Sequence, residues 1–186
     1  MEMKEVIRDG LANTKRILDR TLESLTPVEL KWQPRPDANS IGLILFHSIR
    51  AEDSSTHMLQ GKPQLWESEK WYQKFNKAIN DGGAHYTAEQ VAAFVVPDSK
   101  ELLAYAEAVR KDTLEYLAGL KPEDFDRKVS LPPPPVPMAT PVGSPAPPRP
   151  PFNPVVGSIL LMLITHLAEH AGEISYIRGL QRGMDK

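Results

Sequence analysis

The longest helical pattern in the sequence lies near its end and constrains both fold and chemistry. From Pro154 to about Arg178, apolar residues recur at helical spacing, which predicts a helix with one buried face: Ile159, Leu163, Leu167, Ile174 and Ile177. His166 and His170 lie on that same face, one turn apart. Residues at i and i+4 project from the same side of a helix, about 6 Å apart along its axis. A bound metal ion is the most economical reason for two parallel imidazoles inside an apolar stripe.

Three further amphipathic helices are predicted upstream, over about 4–25, 40–60 and 98–120. Asn39 or Ser40 caps the second of them. No stretch shows the sustained alternation of a strand. The sequence therefore predicts an all-α fold, a four-helix bundle that forms one domain over residues 1–186.

Two long connections separate these helices. The connection over residues 61–97, between helices 2 and 3, is rich in aromatic residues: Trp66, Trp71, Tyr72, Phe75 and Tyr86. These aromatics either fasten the loop to the bundle or form a lid over a pocket. Residues 131–154 hold twelve of the eighteen prolines, so an extended crossover is expected over 131–153, between helices 3 and 4. It is a plain spacer, a segment that docks on a second subunit, or a ligand for a proline-binding module.

Composition excludes several classes of function. The net charge of -2 gives no electrostatic basis for binding nucleic acid or an anionic membrane. The absence of cysteine excludes disulfides, thiolate ligands and a cysteine nucleophile. The N-terminus lacks the apolar core of a signal peptide, and the longest apolar run, 159–164, is far too short to span a bilayer. We therefore expect a cytoplasmic protein.

A third histidine joins the candidate site. His47 falls on the inward stripe of the second helix, whereas His57 and His85 lie outside the pattern. The spacing of His166 and His170 is not that of the H-E-x-x-H zinc motif, although Glu169 completes the inverted H-x-x-E-H pattern. A lone buried histidine is more often a hydrogen-bonded core residue, so the residues by themselves leave metal binding and a structural role open.

Two motifs resemble the DinB-like superfamily. One is N-S-I-G at residues 39–42, which leads to His47, and the other is H-L-A-E-H-A-G-E at residues 166–173. The likeness covers nearly the whole chain, including Trp32 and residues 87–94. The superfamily contains bacterial thiol-dependent transferases and isomerases and many uncharacterised proteins thought to be hydrolases. Many members read H-R-G-Q from the last histidine, whereas this chain reads H-A-G-E, so roles of that Arg or Gln do not carry over.

The resemblance implies an antiparallel four-helix bundle, a homodimer, and a divalent metal held by His47, His166 and His170. Three neutral imidazoles with an open coordination position are typical of a catalytic site, and zinc, nickel and iron all suit imidazole. Such a metal can activate water or a low-molecular-weight thiol, the co-substrate that the family suggests. A metal-bound histidine usually donates its second ring N–H to an oxygen. The carboxylates close enough in sequence are Glu52, Asp53, Glu169 and Glu173. Glu173 is the candidate general base or hydrogen-bond partner of a ligand, and the alternative is that it is a solvated or salt-bridged surface carboxylate.

The leading hypothesis is a metal-dependent enzyme, a hydrolase or a thiol transferase, that acts on a small-molecule substrate. The alternatives are a non-catalytic metal- or ligand-binding bundle related to stress, and a structural bundle in which the histidines only satisfy core hydrogen bonds.

Overall fold

The computed structural model describes residues 2–130 and 154–183. Within them the chain is all-helical and contains no strand. The predicted crossover over 131–153 lies outside the described residues. The helices are α1 (Met3–Leu22), α2 (Pro27–Lys31), α3 (Ile41–Gln60), α4 (Leu65–Ser68), α5 (Trp71–Lys74), α6 (Ala88–Ala92), α7 (Ser99–Gly119) and α8 (Val156–Arg182), with a 3-10 turn at Pro122–Asp126.

The four long helices α1, α3, α7 and α8 build the core. Helix α8 packs against α1 and α3, α3 also packs against α7, and α1 approaches α7 less closely. Helix α3 is buried along most of its length, as its nearly uninterrupted apolar first half requires. Because α3 and α8 are neighbours, the histidines that each carries can meet between them.

Local capping signals fix the ends of α3. The hydroxyl of Ser40 accepts a hydrogen bond from the backbone N–H of Leu43 at 3.2 Å, which satisfies one of the free donors of the first turn. At the other end Gly61 adopts a left-handed conformation with φ 66°, as a helix C-cap commonly does. The predicted span of this helix is confirmed at both ends.

The ends of α1 and α8 differ from the prediction. Helix α1 stops at Leu22 instead of about Leu25, and α8 continues through Gly179 to Arg182. The guanidinium of Arg182 donates to both carboxylate oxygens of Glu29, at 2.5 and 2.8 Å. This tertiary ion pair favours helical continuation past a glycine that would otherwise be a stop signal.

Aromatic residues of the 61–97 connection belong to the core. Trp66, Trp71 and Phe75 are buried and cluster around Tyr105 of α7. The indole of Trp66 lies against the ring of Phe46 with centroids 5.6 Å apart. For this first half of the connection, the prediction that the aromatics fasten the loop to the helices is confirmed.

A buried carboxylate ties the connection to α3. Asp53 is fully buried and accepts hydrogen bonds from the backbone N–H groups of Leu65 and Trp66, at 3.0 and 2.9 Å. It also accepts from its side-chain neighbours Arg50, His57 and Tyr105. Burial opposes ionisation of Asp53, but these hydrogen bonds outweigh it and lower its pKa.

None of the helices in the described part of the chain is both long enough and apolar enough to cross a bilayer.

Candidate metal centre

Three histidines from two helices converge. One ring nitrogen of each of His47, His166 and His170 lies within 4.8 Å of the others. The ring centroids of His166 and His170 are 4.4 Å apart, and the His47 ring lies 5.1 and 4.9 Å from them. The ring planes are inclined to one another by 75° to 87°, and the separations of the nitrogen atoms allow one nitrogen of each ring to reach a common ion. The juxtaposition predicted from the sequence is therefore present.

The hydrogen bonds of these rings leave their inner nitrogens free. The Nε2 atoms of His166 and His170 are buried and have no hydrogen-bond partner among the described residues. The Nδ1 atom of His170 instead lies 2.7 Å from a carboxylate oxygen of Glu173, and Nδ1 of His47 lies 3.3 Å from the carbonyl oxygen of Gly82. Buried polar atoms without partners are rare and call for an explanation. A divalent cation fits this donor set, since the outer nitrogens of His47 and His170 already lie against oxygens, as those of metal-bound histidines do.

Burial favours the neutral form of two of these rings, His47 and His166. Burial lowers the pKa of His166 to about 4, with a further contribution from the neighbouring His170 and His47. Burial also lowers the pKa of His47, against the opposing effect of its hydrogen bond to Gly82. Neutral imidazole is the form that binds a metal.

These shifts predict an acid-sensitive fold in chelator-treated protein. The pKa of His166 is lower in the folded chain than the ordinary value of 6.5, so below pH 6.5 the unfolded chain takes up the proton first. The contribution of neutral His166 to the free energy of unfolding is full above pH 6.5 and is lost as the pH falls toward about 4. We expect urea denaturation to show a larger loss of stability from pH 7.5 to pH 4.5 in the wild type than in His166→Asn. Equal losses in the two proteins would contradict the assigned pKa.

A loop from the 61–97 connection forms the wall opposite the histidines. Residues 83–86 and Val91 line a cavity of about 450 Å³ together with the three histidines and the first turns of α3. The loop is held by its own contacts: the carboxylate of Asp81 accepts from the N–H of Gly83 and the hydroxyl of Tyr86. For this second half of the connection, the alternative of a segment over a pocket matches the structure. From the sequence this lid was only one of two alternatives, although the Gly82-Gly83 pair is a signal for close backbone approach.

Gly83 allows this loop to approach α3. Its φ is 68°, and an added Cβ would lie 2.8 Å from the ring of Phe46 and 3.2 Å from Cα of His47. We expect Gly83→Ala to lower the free energy of unfolding by more than about 1 kcal/mol and to displace the carbonyl that meets His47. Gly82→Ala is the matched control, because nothing lies within 4 Å of a Cβ built there. Urea denaturation of both variants tests this, and equal midpoints would contradict it.

The other histidine and carboxylate side chains considered for the metal site are either paired with other residues or exposed. Glu52 forms an ion pair with Arg110, at 2.6 and 2.9 Å, and Asp53 belongs to the buried network described above. His57 is buried and lies 2.8 Å from the Asp53 carboxylate. Burial alone would lower the pKa of His57, but Asp53 raises it. Glu169 is exposed on α8.

The fold and the site define an all-helical protein with a histidine triad that could hold a metal ion. A family model of the DinB superfamily matches residues 11–174, so the chain belongs to the DinB superfamily. Members of this superfamily commonly bind divalent metals. The resemblance noted in the sequence is thereby confirmed.

Solved structures agree with the fold. The crystal structure of a conserved protein from Enterococcus faecalis is similar, with a TM-score of 0.75 and 23% sequence identity over 97% of each chain. No curated protein matches the chain at a significant level.

Proposed function

We propose that this member of the DinB superfamily is a metal-dependent enzyme, a hydrolase or a thiol transferase. In this proposal His47, His166 and His170 hold a divalent transition metal (zinc, nickel or iron), and the substrate is a small molecule. The observation that carries the proposal is the pair of buried Nε2 atoms of His166 and His170, which have no partner within the described ranges and lie beside the His47 ring. A metal held by these three imidazoles would supply Lewis acidity toward a water or a small thiol.

The cavity favours a catalytic metal site over a purely structural one. A structural metal site is closed by a fourth protein ligand, but within residues 2–130 and 154–183 the cluster contains only the three histidines. The space in front of them, about 450 Å³, falls within the range of pockets that bind small ligands.

Glu173 supports the site from outside the cavity. Its carboxylate accepts a hydrogen bond from Nδ1–H of His170 at 2.7 Å, its side chain is 53% exposed, and it is not among the described residues that line the cavity. The carboxylate fixes the tautomer of His170 so that Nε2 carries the free lone pair. We therefore propose that Glu173 orients His170. The general-base role expected from the sequence stays a prediction.

Removal of this carboxylate should weaken metal binding. We expect Glu173→Ala to reduce the affinity for zinc by about 10–100-fold, the usual effect of losing such a partner. Glu169→Ala is the control, since Glu169 is an exposed carboxylate on the same helix. Competition with a chromophoric chelator measures both affinities, and an unchanged affinity in Glu173→Ala would refute the orienting role.

The proposed enzymatic activity is tested with protein that has been loaded with metal. Zinc-, nickel- and iron-loaded samples are assayed on panels of ester and amide substrates, and on electrophiles in the presence of small thiols. Turnover that is lost in His170→Ala supports the proposal. Stoichiometric metal without turnover on any panel, or with equal turnover in the variant, counts against it.

Three further proposals concern the topology of the helices, the extent of the domain, and the location and assembly of the protein. We propose that α1, α3, α7 and α8 form an antiparallel four-helix bundle, that residues 1–186 are one domain, and that the protein acts as a cytoplasmic homodimer. The packing of α8 on α1 and α3, and of α3 on α7, agrees with the bundle. Light scattering on the purified protein tests the dimer.

A further inference from the structure

The cavity beside the three histidines has an unusual balance of side chains. Its walls include the apolar residues Leu43, Ile44 and Val91, and none of the described residues that line it is acidic, or a lysine or arginine. Apart from the triad, its polar side chains are only Asn39, His85 and Tyr86. Recognition of the polar part of any ligand there depends on these three groups.

Tyr86 is already engaged, and the other two groups differ in the element that carries them. The hydroxyl of Tyr86 already donates to the carboxylate of Asp81, and burial followed by this contact raises the pKa of Tyr86. Asn39 lies outside the loop and precedes the cap of α3, and its side chain, like that of His85, is exposed. The imidazole of His85 takes no part in the hydrogen bonds that hold the loop, which are made by Asp81, Gly82 and Gly83.

The backbone of His85 is held in a costly conformation over the cavity. Its φ is 58°, in the left-handed region that a residue with a side chain seldom adopts. Such conformations persist where surrounding contacts impose them, and they cluster at functional sites. Here the contacts that impose the conformation are the hydrogen bonds accepted by Asp81 and the close packing of Gly83 on α3.

We propose that His85 is a ligand-binding residue of this site, whose ring N–H donates a hydrogen bond to the small molecule that occupies the open metal position. The inference rests on the proposed function. The apolar walls and the lack of other charged groups point to a compact ligand, neutral or singly negative. It carries an oxygen, sulfur or nitrogen acceptor and a short apolar portion. Either protonation state of His85 can donate this bond.

A matched pair of variants tests the role without relying on turnover. Asparagine and glycine both tolerate positive φ, so His85→Asn and His85→Gly avoid backbone strain, but only asparagine keeps an N–H donor. The proteins are loaded with cobalt(II), and azide is titrated while the visible absorption of the metal is followed. We expect unchanged cobalt affinity in both variants, azide binding about tenfold weaker in His85→Gly, and most of the loss restored in His85→Asn.

Each other outcome overturns the inference. Equal azide affinity in the wild type and His85→Gly would show that His85 does not touch the ligand. Loss of cobalt from His85→Gly would make His85 a metal ligand instead. Equal weakening in both variants would show that the loop conformation, and not the donor, matters. If the wild type takes up no cobalt, the proposed function fails first and this inference falls with it.

Discussion

Replacing His47 or His170 by alanine is expected to abolish metal retention while the protein stays helical. Each variant removes one of three converging nitrogens, so the loss of affinity should exceed the roughly 10–100-fold that the loss of an outer hydrogen-bond partner causes. Both side chains line the cavity and contribute little to the apolar clusters of the core. Circular dichroism should therefore show unchanged helical content. Zinc affinity, measured by competition with a chelator, reports the main effect.

His57→Ala is an instructive comparison for this experiment. His57 lies on the same helix as His47 but is paired with Asp53, outside the triad. Its replacement should lower stability and leave metal stoichiometry intact. If His47→Ala and His170→Ala both kept one equivalent of metal, the assignment of the site would be wrong.

The largest loss of stability is expected from Asp53→Asn. The carboxylate is fully buried and accepts from two backbone N–H groups, and Arg50 beside it is only 5% exposed. An amide at this position would turn its own N–H group toward the groups that now donate to Asp53. It would also leave the charge of Arg50 without its ionic partner. Breaking a buried pair by removal of one member typically costs about 3–5 kcal/mol. Urea denaturation at pH 7 measures the change in the free energy of unfolding.

Asp19→Asn provides the matched control for this prediction. Asp19 also pairs with a cation, Lys15, but both side chains are more than half exposed. Exposed pairs of this kind contribute little, so the control should unfold close to the wild type. Similar midpoints for Asp53→Asn and Asp19→Asn would show that the buried network does not stabilise the fold.

Features with local causes were predictable from the sequence. The ends of α3 follow from a serine cap and a left-handed glycine, which are encoded within a few residues of each helix end. The shared face of His166 and His170 follows from helical geometry alone. That His47 meets them required only that α3 and α8 be neighbours, which the family resemblance implied.

Features with long-range causes were not predictable in the same way. Helix α8 passes Gly179 and ends where Arg182 pairs with Glu29, a residue that is distant in the sequence. The wall of the cavity depends on Trp66, whose indole donates to the carbonyl of Ile79 at 2.8 Å and so helps to position the loop that follows. Asp53 was a candidate partner for the metal ligands by proximity in sequence, but its side chain is committed to α4 and α7.

Elemental analysis of the untagged protein, beside His166→Ala, tests the central claim most directly. His166 contributes a buried nitrogen with no hydrogen-bond partner in the part of the chain that the structure describes, and burial lowers its pKa to about 4, so it is neutral at pH 7. The account predicts about one equivalent of a divalent transition metal in the wild type, present on purification or after incubation with zinc, nickel or iron(II), and its loss in the variant. A wild type that retains no metal after such incubation, or a variant that retains a full equivalent, would contradict it.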